Sequence, residues 1–420
     1  MTSKPKVVVI GGGFAGLETT FYLRHMLSDK VDLTLVSDKD YFMFKPNTIY
    51  IPFGADPEKL KVDLVRPTTR KEIELIVSEA KGIDAESKKV ITQNGEADYD
   101  YLVVATGAAM RPEEIPGLTE YANTPWTAEE MTELGVSLNR LAENAKTEKQ
   151  KLLFLVPPNN KCSGPLYELV MMTDTWLNQK GVRDNVEMVW STFESGYIQA
   201  FGPRLNTVVV DEFTERNIIG HKGYVVTEIE PNLVKYQNGD QLPFDLLVSF
   251  PPYIAKERFA GLPLDDRGFI HVEPDSRRVK NSDSIFAVGD AADFPIKQAF
   301  LALLQGDAAG AHLTAEIEGR PVTDKEKFEP MSMCVMEELN RATFAQVPLK
   351  YTDDPEKPVT VDLDDAEHYK VGVSPIWRGG KKVLGLYLPW RFGHGEPFHA
   401  GLAWDAMDFG LKVMSKVLAK

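Results

Sequence analysis

The sequence predicts an α/β fold made of two Rossmann-like units with parallel sheets, followed by an amphipathic C-terminal region. Three observations carry this. A strand, a glycine-rich turn, a helix and a second strand follow one another over the first 38 residues. A second strand–loop–helix unit starts at Lys151, and apolar and basic residues recur at helical spacing over the last twenty positions. At 420 residues, with 43% hydrophobic and 26% charged content, the chain is long enough for two domains with a sizeable core.

The first unit reads in order. Val7–Ile10 is a strand, Gly11-Gly12-Gly13-Phe14-Ala15-Gly16 the turn, Leu17 to Leu27 a helix, and Val31–Val36 the second strand. Gly11, Gly13 and Gly16 match Gly-x-Gly-x-x-Gly, which serves a tight turn, close approach of backbone to pyrophosphate, and close helix–strand packing. Ser37 takes the position where an acidic ribose ligand is expected, and Asp38 follows it. Two further strands end in small-residue turns: Asp100 to Thr106-Gly107, and Ser284 to Gly289-Asp290-Ala291. Between them, Leu152–Val156, Val186–Trp190 and Leu246–Phe250 read as strands of the second unit. The expected divisions are 1–117, 118–250, 251–325 and 326–420.

The second unit departs from the first at its loop. Lys151–Val156 is a buried strand and a helix begins at Pro165, yet no glycine-rich motif joins them. The loop is Pro157-Pro158-Asn159-Asn160-Lys161-Cys162-Ser163-Gly164. A thiol at a helix N-terminus stands where thiolate is favoured. The other cysteine, Cys334, is far away in sequence, so only folding could unite the two; the alternative is two small buried hydrophobes. Two cysteines and scattered histidines build no metal cluster, and His394, Glu396 and His399 have no metal-ligand spacing.

The net charge of −15 excludes a nucleic-acid-binding surface. From Lys370 onward, however, eight Lys/Arg stand against three Asp/Glu. In that tail Ala403, Met407, Leu411, Met414, Val417 and Leu418 form an apolar stripe, and Lys412, Lys416 and Lys420 a basic one. Trp377, Tyr387, Trp390 and Phe392 precede them as candidate headgroup anchors. The expectation is a peripheral (monotopic) membrane surface, or a contact with a second copy or partner. No run of eighteen apolar residues exists, and Met1 to Lys6 leads directly into a strand, so neither a spanning helix nor a signal peptide is expected.

Taken together, these motifs resemble the sulfide:quinone oxidoreductases and the flavoprotein subunit of flavocytochrome c sulfide dehydrogenase, within the disulfide-reductase-like FAD superfamily. The likeness rests on Asp40-Tyr41-Phe42-x-Phe44-x-Pro46, on Pro157-Pro158…Cys162-x-Gly164-Pro165-x-Tyr167-Glu168, and on Phe250-Pro251-Pro252. It also includes Gly289-Asp290-Ala291 followed by Lys297, and then Cys334, over residues 5–340. The resemblance implies two dinucleotide-binding domains of the disulfide-reductase type and a noncovalent FAD. The implied FAD residues are Gly11, Gly13, Phe14, Ala15, Gly16, Ser37, Asp38, Lys45, Ala80, Thr106, Gly107, Gly289, Asp290 and Lys297.

The resemblance further implies a redox-active Cys162–Cys334 disulfide that oxidises sulfide to zero-valent sulfur or polysulfide, with electrons passing through FAD to quinone. Cys334 would face the flavin, Cys162 would carry the persulfide, and Lys297 would stabilise negative charge on the reduced cofactor. The sequence departs from the family in three places. No third cysteine occurs near Tyr121–Trp126, none stands near Phe42, where the flavocytochrome subunit can anchor its flavin (hence the noncovalent FAD), and Gln199 stands where the family has an entrance histidine. Three alternatives stay open: a sulfide dehydrogenase subunit serving cytochrome c, a type II NADH:quinone dehydrogenase, and a flavin-binding protein without turnover, such as a scaffold or sulfur carrier; for the tail, a homodimer or partner contact is the alternative to the membrane. The missing second glycine loop argues against NADH.

Overall fold

The computed structural model describes residues 3–419. Its first sheet contains β1 (Lys6–Ile10), β2 (Asp32–Ser37), β3 (Glu74–Val77), β4 (Tyr101–Val104) and, from much later in the chain, the strand Ile285–Ala287. All pairings are parallel, with β1 central: Val9 lies opposite Leu35 of β2 on one side and Val103 of β4 on the other. Such a sheet must be covered on both faces, and β1 shows it. Val7 and Val9 join one buried cluster, while Val8 and Ile10 join another.

Helix α1 (Phe14–Leu27) follows the glycine turn directly. It packs along the long helix Ala299–Glu318, whose small residues let the backbones approach. A Cβ on Gly306 would stand 2.9 Å from the Ala15 carbonyl oxygen, and Thr19 Oγ1 donates to the Gly306 carbonyl at 3.2 Å.

The second sheet holds β5 (Gln150–Val156), β6 (Val186–Thr192), β7 (Ile219–Lys222) and β8 (Leu246–Ser249) in the order β7-β6-β5-β8, again parallel. Strand β8 stops one residue short of the sequence expectation, because Pro251 and Pro252 after Phe250 have no N–H to extend the ladder. Helix α2 (Gly164–Gln179) covers this sheet, with Tyr167 stacked on Trp190 of β6 at 3.9 Å between ring centroids.

The chain then returns to the first sheet through β9 (Ile285–Ala287) and α3 (Ala299–Glu318). An antiparallel sheet follows, in which β11 (Ala342–Tyr351) pairs with β10 (Met331–Glu337) and with β12 (Lys370–Ser374). Two helices end the chain, α4 (Pro375–Gly393) and α5 (Gly401–Leu418). No helix among the described residues is long and apolar enough to cross a membrane.

The tail differs from the sequence expectation in three ways. Trp377 and Phe392 are not surface anchors: Trp377 is buried and stacked on Phe344 at 4.1 Å, and Phe392 is buried against Phe21 and Phe42. Only Trp390 is largely exposed, with Tyr387 half-buried. The expected apolar stripe is mostly the inner face, since Leu411, Met414 and Leu418 pack on the Phe344–Trp377 cluster. The outward apolar ridge of α5 shares only Val417 with that stripe and adds Leu402, Phe409 and Val413, with exposed Lys412 and Lys416 on its flank. A 3.6-residue period places 402, 406, 409, 413 and 417 on one line, and a helix apolar on two sides hides that line from a single-stripe reading. Lys420 lies outside the described residues.

Candidate active site

A cleft of about 670 Å³ opens at the C-terminal ends of the parallel strands, where α/β sheets place ligands. Every cofactor residue expected from sequence lines it except Gly16 and Ser37. Gly11 has φ +115°, and a Cβ there would sit 2.2 Å from the Ala105 carbonyl oxygen. Gly16 performs the packing role: its Cβ would lie 1.9 Å from the Gly11 carbonyl oxygen, so a side chain would force α1 off the turn. At Gly13 the Cβ direction is open space, which leaves the helix N-terminus accessible to an anion.

Ser37 is corrected. It is buried and its Oγ donates to the Lys39 carbonyl at 2.7 Å, behind Gly12, so its hydroxyl is used within the turn. Asp38 is the residue that faces the cleft, paired with Lys256 at 2.7 Å.

Asp290 stands between Lys297, which is buried, and Lys45, whose side chain is open to the cleft. Burial raises its carboxyl, while Lys297 and Lys45 oppose that rise. Lys297 is buried and is no solvated loop lysine: its Nζ donates to the Ala292 carbonyl and lies 3.7 Å from the Phe269 ring centroid. Burial pulls its pKa down to about 7. The Lys45 Nζ sits 3.5 Å from the Trp126 ring centroid, and desolvation within the cleft lowers it to about 8. Unobstructed backbone at the turn, two cations and a long, largely apolar wall fit FAD. Gly11, Gly13, Asp38, Lys45 and Lys297 all line the part of the cleft that such a cofactor would occupy.

The two cysteines meet in the same cleft. A Cβ built on Gly164 would lie 3.9 Å from Cys334 Sγ and 4.0 Å from Cys162 Sγ, so the sulfurs converge on one point, Cys162 from the loop before α2 and Cys334 from β10. Both are free thiols, partly accessible. The loop that replaces the glycine motif is pinned: the Cys162 N–H donates to Asn160 Oδ1 at 3.0 Å, and Asn160 Nδ2 donates to the Phe250 carbonyl at 3.1 Å. Burial works against the helix-stabilised thiolate expected from the sequence. Burial pushes Cys162 up to about 12, against a smaller opposing pull from the Gly164 N–H. Burial raises Cys334 as well, with Glu168 adding to it and Lys381 opposing it.

Glu168 and Lys381 are the site residues that sequence reasoning missed. They form a buried ion pair on the cleft wall. Lys381 also donates to the Val335 carbonyl at 2.9 Å, and the Glu337 N–H donates to Glu168 at 2.9 Å. The pair is therefore tied to the strand that carries Cys334. A signal existed: Lys381 interrupts the inward-facing positions Trp377, Leu384 and Leu388 at helical spacing. Gln199, in contrast, is exposed and turned to Ser195. His394, Glu396 and His399 do not converge. His394 bonds the Trp390 carbonyl, Glu396 pairs with Lys71, and His399 meets Asp307 and Glu18.

Residues 5–148 match the family model described as pyridine nucleotide-disulphide oxidoreductase. A sulfide-quinone reductase of Aquifex aeolicus is 33% identical over 60% of this chain and 59% of its own length. The mitochondrial sulfide:quinone oxidoreductase of Dictyostelium discoideum is 24% identical over 71% of this chain and 68% of its own. An external alternative NAD(P)H-ubiquinone oxidoreductase of Arabidopsis thaliana, B2, is also 24% identical, over 69% of this chain and 55% of its own. In fold, the crystal structure of the sulfide:quinone oxidoreductase from Aquifex aeolicus superposes with a TM-score of 0.83, covering 97% of this chain and 96% of that one at 24% identity. Residues 5–148 are thus similar to that oxidoreductase family, and the chain as a whole has the fold of the sulfide:quinone oxidoreductase structure. The matched segment spans about three fifths of the Aquifex relative's length.

Proposed function

We propose that this protein is an FAD-dependent oxidoreductase that takes two electrons from sulfide at the Cys162–Cys334 pair and passes them to a quinone. The observation that carries this is the convergence of the only two cysteines on Gly164, at the place where a nicotinamide-binding loop is missing. FAD, when bound, supplies the two-electron carrier between sulfur and acceptor.

The chain's own part begins with Cys162 and Cys334 joined as a disulfide. Hydrosulfide attacks one sulfur, a new S–S bond forms as the old one breaks, and the other cysteine leaves as thiolate. One cysteine then carries a persulfide, and regenerating the disulfide releases zero-valent sulfur and two electrons. Burial raises both thiols, so the reduced pair holds its protons and needs a proton acceptor beside it to go on. Glu168 fills that role, because its charge bears on both sulfurs and it faces the cleft, with Lys381, which bears on Cys334, as its partner. Lys297 and Lys45 hold positive charge where the reduced cofactor gathers negative charge.

The outward ridge of α5 (Leu402, Phe409, Val413 and Val417), with Lys412 and Lys416 beside it, supports docking on a lipid surface. Ile376, Val383, Leu386 and Trp390 on the neighbouring α4 are exposed too. This would bring a lipid-soluble acceptor to the cleft wall made by Leu384 and Leu388.

The reading is tested by recording the flavin spectrum of the purified protein anaerobically, with sulfide added to one sample and NADH to another. Bleaching by sulfide and not by NADH is expected; bleaching by NADH alone overturns it in favour of the nicotinamide-dependent relatives.

A further inference from the structure

Three ionisable side chains that the proposed chemistry does not use meet in the interior behind the cleft wall. Glu18 comes from α1, Asp307 from α3, and His399 from the connection between α4 and α5. Their polar atoms all lie within 4.8 Å of one another. Glu18 is fully buried, and its carboxylate accepts the Phe398 N–H at 2.7 Å and the His399 N–H at 3.2 Å. Asp307 Oδ2 pairs with His399 Nδ1 at 2.5 Å. Arg391 completes the hold, donating to the Pro397 and Ala400 carbonyls at 2.8 Å each.

What these contacts fix is Phe398. Its ring is buried, lines the cleft beside Leu388, and packs edge-on to Tyr387. His399 in turn packs against Phe300, another cleft residue, and against Trp404 at the start of α5. The knot therefore sets both the cleft wall next to α4 and the root of α5.

We infer that Glu18, Asp307 and His399 act together as positioning residues: a proton-bearing knot that holds Phe398 in the acceptor-side wall and anchors α5. The inference rests on the acceptor-side part of the function proposed above. Two carboxyls and an imidazole this close carry a net charge of −1 when they share one proton. Losing that proton leaves two buried carboxylates facing each other. The surroundings do little to offset them: Tyr22 faces Asp307, Tyr387 faces Glu18, and Asp408 of α5 faces His399. Burial raises Glu18 well above the usual carboxyl range and Asp307 to about 7, while lowering His399. Asp307 therefore ionises first, near neutrality, while Glu18, raised further by the charge on Asp307, keeps the shared proton; as pH climbs on, that last proton leaves, the two carboxylates repel, and the grip on residues 397–400 loosens.

The test uses the full-length, FAD-loaded protein. Hydrogen exchange at the Phe398 and His399 amides, corrected for the intrinsic rate, should accelerate as pH rises from 6 to 9 in the wild type. In Asp307→Asn the pH step should vanish; in Glu18→Gln protection should be low at every pH. With decylubiquinone as acceptor, KM should rise about tenfold on Glu18→Gln through loss of the carboxylate acceptor, and the wild-type KM should climb over the same pH window as the exchange. Wild-type protection that ignores pH, or an Asp307→Asn variant with the wild-type pH profile, overturns the knot. The exchange measurement needs no substrate, so it stands or falls separately from sulfide bleaching.

Discussion

Lys381 of α4 reaches across 213 residues of sequence to pair with Glu168 of α2, and the pair hangs from the backbone of the strand that holds Cys334. The relationship ties the C-terminal helices to the sulfur site. Both groups are buried, at 8% and 6% exposure, so neither can lose its partner without stranding a charge.

Removing that partner gives the first prediction. Lys381→Met leaves Glu168 buried without its cation, which drives the carboxyl toward its protonated form. The variant should lose stability by about 3 kcal/mol, and its turnover should fall at neutral pH while recovering as pH rises and Glu168 ionises. Chemical denaturation and a kcat–pH profile read the two effects; an unchanged profile removes Glu168 from proton handling.

Cysteine substitutions separate substrate from mechanism. Cys162→Ser and Cys334→Ser should each cut sulfide-driven flavin reduction by about a thousandfold or more, with FAD still bound. Rapid bleaching that survives in both variants leaves sulfide as donor and discards the disulfide.

Lys297 has a titration signature in the cofactor-free protein. Its folded pKa of about 7 lies below the ordinary 10.5, so between these values the unfolded chain binds a proton that the folded one lacks. Stability should therefore increase with pH across that window, with a slope approaching about 1.4 kcal/mol per pH unit. Lys297→Met should flatten the slope and weaken retention of FAD. Urea titrations at pH 7, 8 and 9 measure it.

The outer ridge of α5 can be altered without touching packed residues. Leu402→Glu, Phe409→Glu and Val417→Glu together should abolish flotation with anionic liposomes while thermal stability stays within about a degree, since surface changes of this kind cost little. Unchanged flotation removes α5 from membrane docking.

Much of this architecture was legible in the sequence, and the reasons are local. The βαβ opening follows from four adjacent buried aliphatics, a glycine turn whose steric demands are met at Gly11 and Gly16, and a helix. The Cys162 loop was visible as a broken motif. What escaped reading depends on distant partners. Ser37 was misplaced because its hydroxyl turns to Lys39. The Cys162 thiol was expected to ionise from its helix terminus, yet burial, which only the folded chain sets, outweighs that pull. Trp377 looked like an anchor until Phe344 was stacked upon it. Glu18 and Asp307 carry no motif, so their meeting with His399 belongs to the tertiary structure alone.

The central claim is that electrons enter through sulfur bridging Cys162 and Cys334. The most direct measurement is to alkylate the anaerobic protein before and after one equivalent of sulfide and map both peptides by mass spectrometry. The account predicts a Cys162–Cys334 cross-link before addition, and afterwards one cysteine heavier by a sulfur atom with the other alkylated as a free thiol. A flavin fully reduced by sulfide while both cysteines are alkylated unmodified, before and after, would contradict it.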